Sequence, residues 1–472
     1  MGQQPRRHVH AFADDALGDH DAVGLVGELR AGRVSSTELV EAAIARTERL
    51  QPELAALACD DFERARARAA DVGGGFFAGV PTVVKDNSDV AGLPTQHGSR
   101  SFTAVPVDRH GDWAEAFLGT GLVPLGKTRL SEFGFSASAE FPDEEPVHNP
   151  WDTSYSSGAS SAGSAVLVAG GAVPLAHAND GGGSIRIPAA CNGLVGLKPT
   201  RGRTPTDRMN LRMPVRIVAD GVVTRSVRDT AALLREIERS RRDLSLPPVG
   251  DVRGPGRRRL RIALAPDSVV GTTDDETRET VLRTGKLLES MGHHVEEVAP
   301  PVPEHFTDDF LDYWSLLAAA LSAGGRRQFG PSFDSARTDN LTRGLARRAR
   351  RRAWRLPLTI ARLRLSGRTT RRFFEGHDVL LSPVLARTTP RLGWLDPNQP
   401  YEVLVDHLLD WVTFTPLQNV TGDPAISLPM GAGSDGLPIG VQLASSHGHE
   451  ARLLELAYEL EEAQPFRRIQ DG

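Results

Sequence analysis

The chain has 472 residues, of which 24% are charged and 40% hydrophobic, and its formal net charge is -5. That length supplies a large core, and the acid excess argues against a general polyanion binder, because nucleic-acid-binding chains carry a basic excess or a basic face. Two cysteines, Cys59 and Cys191, are too few for a disulfide framework and are expected to be free, as in a reducing compartment.

Taken in chain order, Arg6 and Arg7 are followed by Asp14 and Asp15 rather than an apolar stretch, and position 6 lacks the hydroxyl of a myristoylation signal. We expect a cytoplasmic protein with no membrane segment and no nucleic-acid partner. Ser35 and Glu38 form a capping box ahead of Leu39, Val40, Ala43, Ile44 and Thr47, which predicts a helix from about Ser36 to Leu50. Thr273 and Glu276 repeat the device between strand-like Leu260 to Leu264 and His294 to Val298, a βαβ-like unit. Pro424 to Met430 and Pro438 to Ala444 flank a Gly-Ser-Asp-Gly turn and read as an antiparallel hairpin. The alternation of patterns predicts an α/β fold with a mixed sheet. Leu246 to Gly256 is a short linker candidate after which the alternation resumes, so one large domain is preferred. Arg343 to Arg372 holds twelve arginines and no acid, read chiefly as solvated helix faces, with attraction of an anionic surface or substrate as the alternative.

Between Thr153 and Asn179 lie 27 residues without Asp, Glu, Lys or Arg, rich in Ser, Gly and Ala. Such a run is too polar to span a membrane and too apolar for a solvated loop, so it is expected to be buried beside reactive groups. Only four of 55 basic residues are lysines: Lys85, Lys127, Lys198 and Lys286. A buried lysine can be neutral near pH 7, whereas guanidinium stays charged, so Lys85 is a candidate base; a salt bridge to Asp86 is the ordinary alternative. Ser160 sits in a small-residue loop that enters a helix. Ser184 follows three glycines whose N–H groups can converge on an oxyanion. Taken singly, either serine could be merely a cap or a flexible joint. No Gly-x-Ser-x-Gly elbow occurs, which leaves a Ser-Ser-Lys relay rather than an α/β-hydrolase triad.

Gly79 to Asn87, Gly126-Lys127-Thr128 with Glu132-Phe133, Asn149-Pro150-Trp151, the Ser160 loop, Asp180 to Pro188, Gly193 to Gly202 and the C-terminal hairpin resemble, in order, the amidase signature family. The resemblance implies one α/β domain over 1-472, with a central mixed, twisted sheet surrounded by helices. Within it, 1-70 is mainly helical, 79-205 holds the catalytic motifs, and 206-472 supplies the rest of the sheet, variable pocket helices and the hairpin. It implies hydrolysis of a small-molecule amide with Ser184 as nucleophile, Ser160 as bridge and Lys85 as base. Gly181, Gly182, Gly183 and the Ser184 amide would form the oxyanion hole, while Asp180, Arg186 and Ser161 support it. No metal or cofactor is implied, and a homodimer is compatible with the resemblance.

Departures from the family pattern are Ala159 and Ala162 around the bridging serine, where the peptide preceding Ser160 is expected to be cis, and His177-Ala178-Asn179 before the aspartate. Ile187 replaces the glutamine typical of glutamyl-tRNA amidotransferase A subunits. The chain looks closer to stand-alone actinobacterial amidases and, more distantly, to 6-aminohexanoate cyclic dimer hydrolases. The substrate pocket is expected from His305 to Arg372 and Trp394 to Leu417. Three rival readings are weaker. Gly121 to Thr128 fits a P-loop pattern, but its apolar interior suits a strand and Trp113 to Phe117 reads helical. His8, His10, His447 and His449 have metal-ligand spacing but lack acidic partners. Cys191 is better placed as a small hydrophobe than as a nucleophile.

Overall fold

Eleven strands, named in chain order, hold the protein together in a computed structural model that describes residues 7–471; Arg6 lies outside the described residues. They are β1 (Leu57–Asp60), β2 (Pro81–Lys85), β3 (Val123–Thr128), β4 (Leu175–Asp180), β5 (Val195–Lys198), β6 (Ala219–Thr224), β7 (Arg261–Leu264), β8 (His294–Glu297), β9 (Val379–Pro383), β10 (Ala425–Ala432) and β11 (Pro438–Ser445). Eight of them form a sheet in the order β4-β6-β5-β10-β11-β9-β7-β8, and the other three form a small sheet in the order β1-β3-β2. The large sheet is mixed as expected: β7 runs parallel to β8 and β9, and the remaining pairs are antiparallel.

The two sheets meet at the edge that matters for function. β2 is tied to β4 by side chains instead of a backbone ladder. Thr82 Oγ1 donates to Leu175 O at 3.0 Å, and the Lys85 backbone N–H donates to His177 Nδ1 at 3.2 Å.

Local signals in the sequence are largely realised. The helix Ser36–Leu54 begins with the Ser35/Glu38 capping box and runs four residues past the expected end. The βαβ unit is present, with the helix Asp275–Ser290 between β7 and β8, but its cap differs from the reading. Asp274 accepts from Thr277 N, while Thr273 turns away to donate to Pro266 O and Glu276 accepts from Ser434 N. Asp274 lies one residue closer to the helix, and a carboxylate is an equally good acceptor for first-turn amides. The hairpin forms between β10 and β11, with Gly436 N–H donating to Gly433 O.

The arginine-rich segment is only partly a solvated face. Arg348, Arg352 and Arg355 converge on Asp312, at 3.0, 2.7 and 3.0 Å. They fasten the helix Asn340–Arg351 and the short turn after it to the helix Phe306–Phe329, on which Asp312 is buried.

From Tyr155 to Asp180 every residue is buried. Within this stretch the helix Ala162–Ala169 packs so closely on the small sheet that a Cβ on Gly163 would stand 2.2 Å from Ala56 O and 2.9 Å from Arg129 N. Both are backbone atoms and do not yield easily. Gly163→Ala is therefore expected to lower stability by about 1–3 kcal/mol, read as a lower denaturant midpoint with unchanged slope; an unchanged midpoint would contradict this packing.

Candidate active site

Lys85 ends β2, a strand of five buried residues. Asp86 is the first residue of the turn that follows, and its carboxylate is aimed away from Lys85. Asp86 Oδ1 lies 2.9 Å from Lys127 Nζ, an ion pair that is buried on both sides. The salt bridge between Lys85 and Asp86 does not exist. Lys85 Nζ instead sits 2.7 Å from Ser160 Oγ, 2.7 Å from Asn179 Oδ1 and 3.5 Å from Asn179 O, and it has no ion-pair partner among the described residues. Burial pushes its pKa down to about 7 against the opposing pull of Asp220 and Asp180. A neutral amine fits these contacts: two N–H groups face the two Asn179 oxygens, and the lone pair faces the Ser160 hydroxyl.

Ser160 follows a cis peptide bond from Ala159, the geometry expected for this loop with alanine in place of glycine. Ser161 next to it uses its hydroxyl to donate to Ser184 O at 2.5 Å and to Asn179 O at 3.3 Å. It thereby fixes the backbone of the second serine. Ser184 lies in the turn between β4 and the helix Arg186–Asn192, half-buried, and its hydroxyl makes no hydrogen bond among the described residues.

The turn is held by one fully buried pair. Asp180 Oδ1 accepts from Gly183 N at 2.7 Å and from Arg186 Nη2 at 2.9 Å, while Oδ2 accepts from Ile185 N at 3.2 Å and from Arg186 Nε at 2.9 Å. Burial alone would raise the Asp180 pKa, but Arg186 and Asn419 bring it down to about 2. Arg186 in turn donates to Gln442, Gln418 and Asn419. Thr415 Oγ1 donates to Gly182 O at 2.6 Å, which agrees with the Gly183 N–H pointing the other way, into Asp180. Gly183 is thus engaged in holding the turn, and the amides left for an oxyanion are those of Gly181, Gly182 and Ser184.

An open apolar groove lies near this turn. Its lining includes Phe306, Phe310, Leu311 and Trp314 from one segment and Leu408, Val412 and Pro416 from another, and none of the lining residues is charged. Both segments are those expected to form the pocket. The groove lining does not contain Ser184, but Phe310 brings it to the turn: a Cβ on Gly182 would lie 3.4 Å from that ring.

Gly121 to Thr128 is chiefly β3, with Lys127 locked to Asp86. Burial pushes the Cys191 thiol up to about 12. His449 binds Ser446, and His447 is 3.9 Å from Asp423. Sequence reasoning missed Asn179 as the partner of Lys85, and Asn87, which exchanges hydrogen bonds with it. Both stood inside motif segments, where a polar residue in a buried run was the available signal. Thr415, Gln418 and Gln442 carried no such signal, since they reach the turn only through the fold.

The Amidase family model matches residues 38–454. The amidase-named AmiC protein of Mycobacterium leprae is 57% identical over 467 residues, covering 99% of this chain and 100% of that one. The 6-aminohexanoate-cyclic-dimer hydrolase of Paenarthrobacter ureafaciens is 33% identical, covering 94% and 95%. A solved structure of 6-aminohexanoate cyclic dimer hydrolase superposes with a TM-score of 0.89 at 30% identity over 97% of this chain and 99% of that one. The chain belongs to the amidase family and is an amide-hydrolysing enzyme.

Proposed function

We propose that the protein hydrolyses small amides, uncharged and apolar in the part that fills the groove, through an acyl-enzyme formed on Ser184. The observation that carries this reading is the 2.7 Å contact of Ser160 with a fully buried lysine that lacks an ion-pair partner. Ser184 Oγ attacks the amide carbonyl and gives its proton to Ser160, whose own proton passes to the neutral Lys85 amine. The amides of Gly181, Gly182 and Ser184 receive the oxyanion, each such donor being worth roughly 3–4 kcal/mol in comparable sites. Lys85 returns its proton through Ser160 to the leaving nitrogen. Water, activated through the same two groups, then releases the carboxylate.

The uncharged groove supports an apolar acyl or amine portion, and cyclic or oligomeric amides are compatible with it. Ile187 is buried beside Leu311 and Trp411 in an apolar cluster, which disfavours an amidotransferase A-type role. We also infer a single domain over 1-472, supported by a large sheet that runs without interruption from β4 to β8.

Three outcomes are expected. Lys85→Arg keeps a positive charge but forbids deprotonation, so kcat should drop by roughly 10²–10⁴; turnover near that of wild type would sink the relay. A neutral Lys85 is needed for attack, so kcat/KM should rise with pH through about 7; a profile flat across that value would remove the lysine as base. In an ammonia-release panel with Ser184→Ala as blank, neutral apolar amides should be turned over faster than equally large charged ones; equal rates for the two classes would refute the groove assignment.

A further inference from the structure

Charge in the buried region around Lys85 almost cancels in local pairs: Asp86 with Lys127, and Asp180 with Arg186. Apart from Lys198, whose amine donates to Pro199 O, two groups are left over. One is Lys85. The other is Asp220 on β6, which is 2% exposed, has no Lys or Arg partner, and has an Oδ2 without any hydrogen-bond partner.

Register connects them. Asp220 lies directly across from Asn179 in the β4/β6 ladder, and directly opposed residues of an antiparallel pair project from the same face. Asn179 Oδ1 is the group that receives the Lys85 amine. His177, two residues earlier on β4, shares that face. Its Nδ1 accepts the Lys85 backbone N–H, so in the neutral ring the hydrogen must be on Nε2, and that nitrogen faces Asp220 Oδ1 at 3.4 Å. The ring is fully buried, with Trp113 at 5.5 Å between centroids, and burial pushes it down to about 3, which keeps it neutral. One imidazole therefore holds the lysine's backbone with one nitrogen and the leftover carboxylate with the other.

We propose that Asp220, held by His177, is the counter-ion of the Lys85 ammonium that forms during catalysis, and so a positioning residue that sets the strength of the base. It rests on the reading of Lys85 as base. When Lys85 takes the Ser160 proton, the interior gains a positive charge with no adjacent carboxylate, and the Asp220 charge offsets it across Asn179. The other titratable groups around Asp220, His177 and Lys85 are few. Asp207 receives Trp113 N–H and is pushed up to about 6 by burial and then by Asp220 itself. His97, pushed down to about 4 by burial, is neutral, and Lys127 and Asp180 are already paired. Burial pushes Asp220 up to about 7, with Asn179 and Lys85 opposing, so its charge responds in the same pH range as the lysine.

The test is the acid limb of kcat/KM. Removing a negative charge makes the ammonium less favourable, so Asp220→Asn should move the limb to lower pH by about one unit, with a lower plateau because the base is weaker. His177→Asn, whose side-chain oxygen can still accept the Lys85 N–H but cannot reach Asp220, should shift the limb the same way by less. Thermal unfolding establishes that each variant is folded; if Asp220→Asn does not fold, His177→Asn decides. A limb that stays at the wild-type pH in the folded variants overturns the proposal. If Lys85→Arg is inactive in that case, only the role of Asp220 falls; if Lys85→Arg is active, the relay itself was wrong.

Discussion

The pairing of Asp86 with Lys127 is the constraint on which the site depends. Two lysines and one aspartate come together at the end of β2, and the turn after the strand gives Asp86 to Lys127 rather than to Lys85. A buried amine next to a carboxylate would stay charged and would be a poor proton acceptor. By giving the carboxylate to Lys127, the fold leaves Lys85 among neutral oxygens, where desolvation can lower its proton affinity. The ordinary reading of a Lys-Asp dipeptide fails here for a geometric reason.

A second buried pair holds the turn that carries Ser184, the proposed nucleophile. Removing one partner from a buried ion pair is strongly destabilising, commonly by about 3–5 kcal/mol, so Asp180 and Arg186 lock whatever hangs from them. What hangs from them is the turn carrying Gly183 and Ile185, on either side of Ser184. Ser161 pins the Ser184 carbonyl from the other side. The hydroxyl proposed as nucleophile is thereby attached to a backbone held from both sides, and Phe310 of the apolar groove stands near that turn.

Lysine scarcity was a better signal than it first looked, and also less selective. Three of the four lysines, Lys85, Lys127 and Lys198, are among the largest fully buried side chains, whereas Lys286 is exposed. In this chain, lysine marks the interior. It does not by itself tell the proposed base from Lys127, which is ion-paired, or from Lys198, which donates to Pro199 O and is likewise pushed down to about 7 by burial. That distinction comes from proximity to Ser160. Likewise, twelve arginines in one segment looked uniform, yet those facing Asp312 act as fasteners because that carboxylate is buried.

By itself the sequence determined what depends on neighbours along the chain: the Ser35/Glu38 cap, the hairpin turn, the buried uncharged run, and the order of motifs that carries the family resemblance. Short-range hydrogen bonds and burial patterns are set over a few residues, so they are legible in a string. Tertiary structure alone decided which polar groups meet. The Thr273 cap lost to Asp274 one residue away, and the Gly183 amide went to Asp180 once the turn closed. β2 met β4 through Thr82 and His177 rather than through a ladder, and Thr415, Gln442 and Asp220 reached the site from distant segments. Such choices depend on distances of a few tenths of an ångström between residues up to hundreds of positions apart, and no local pattern encodes them.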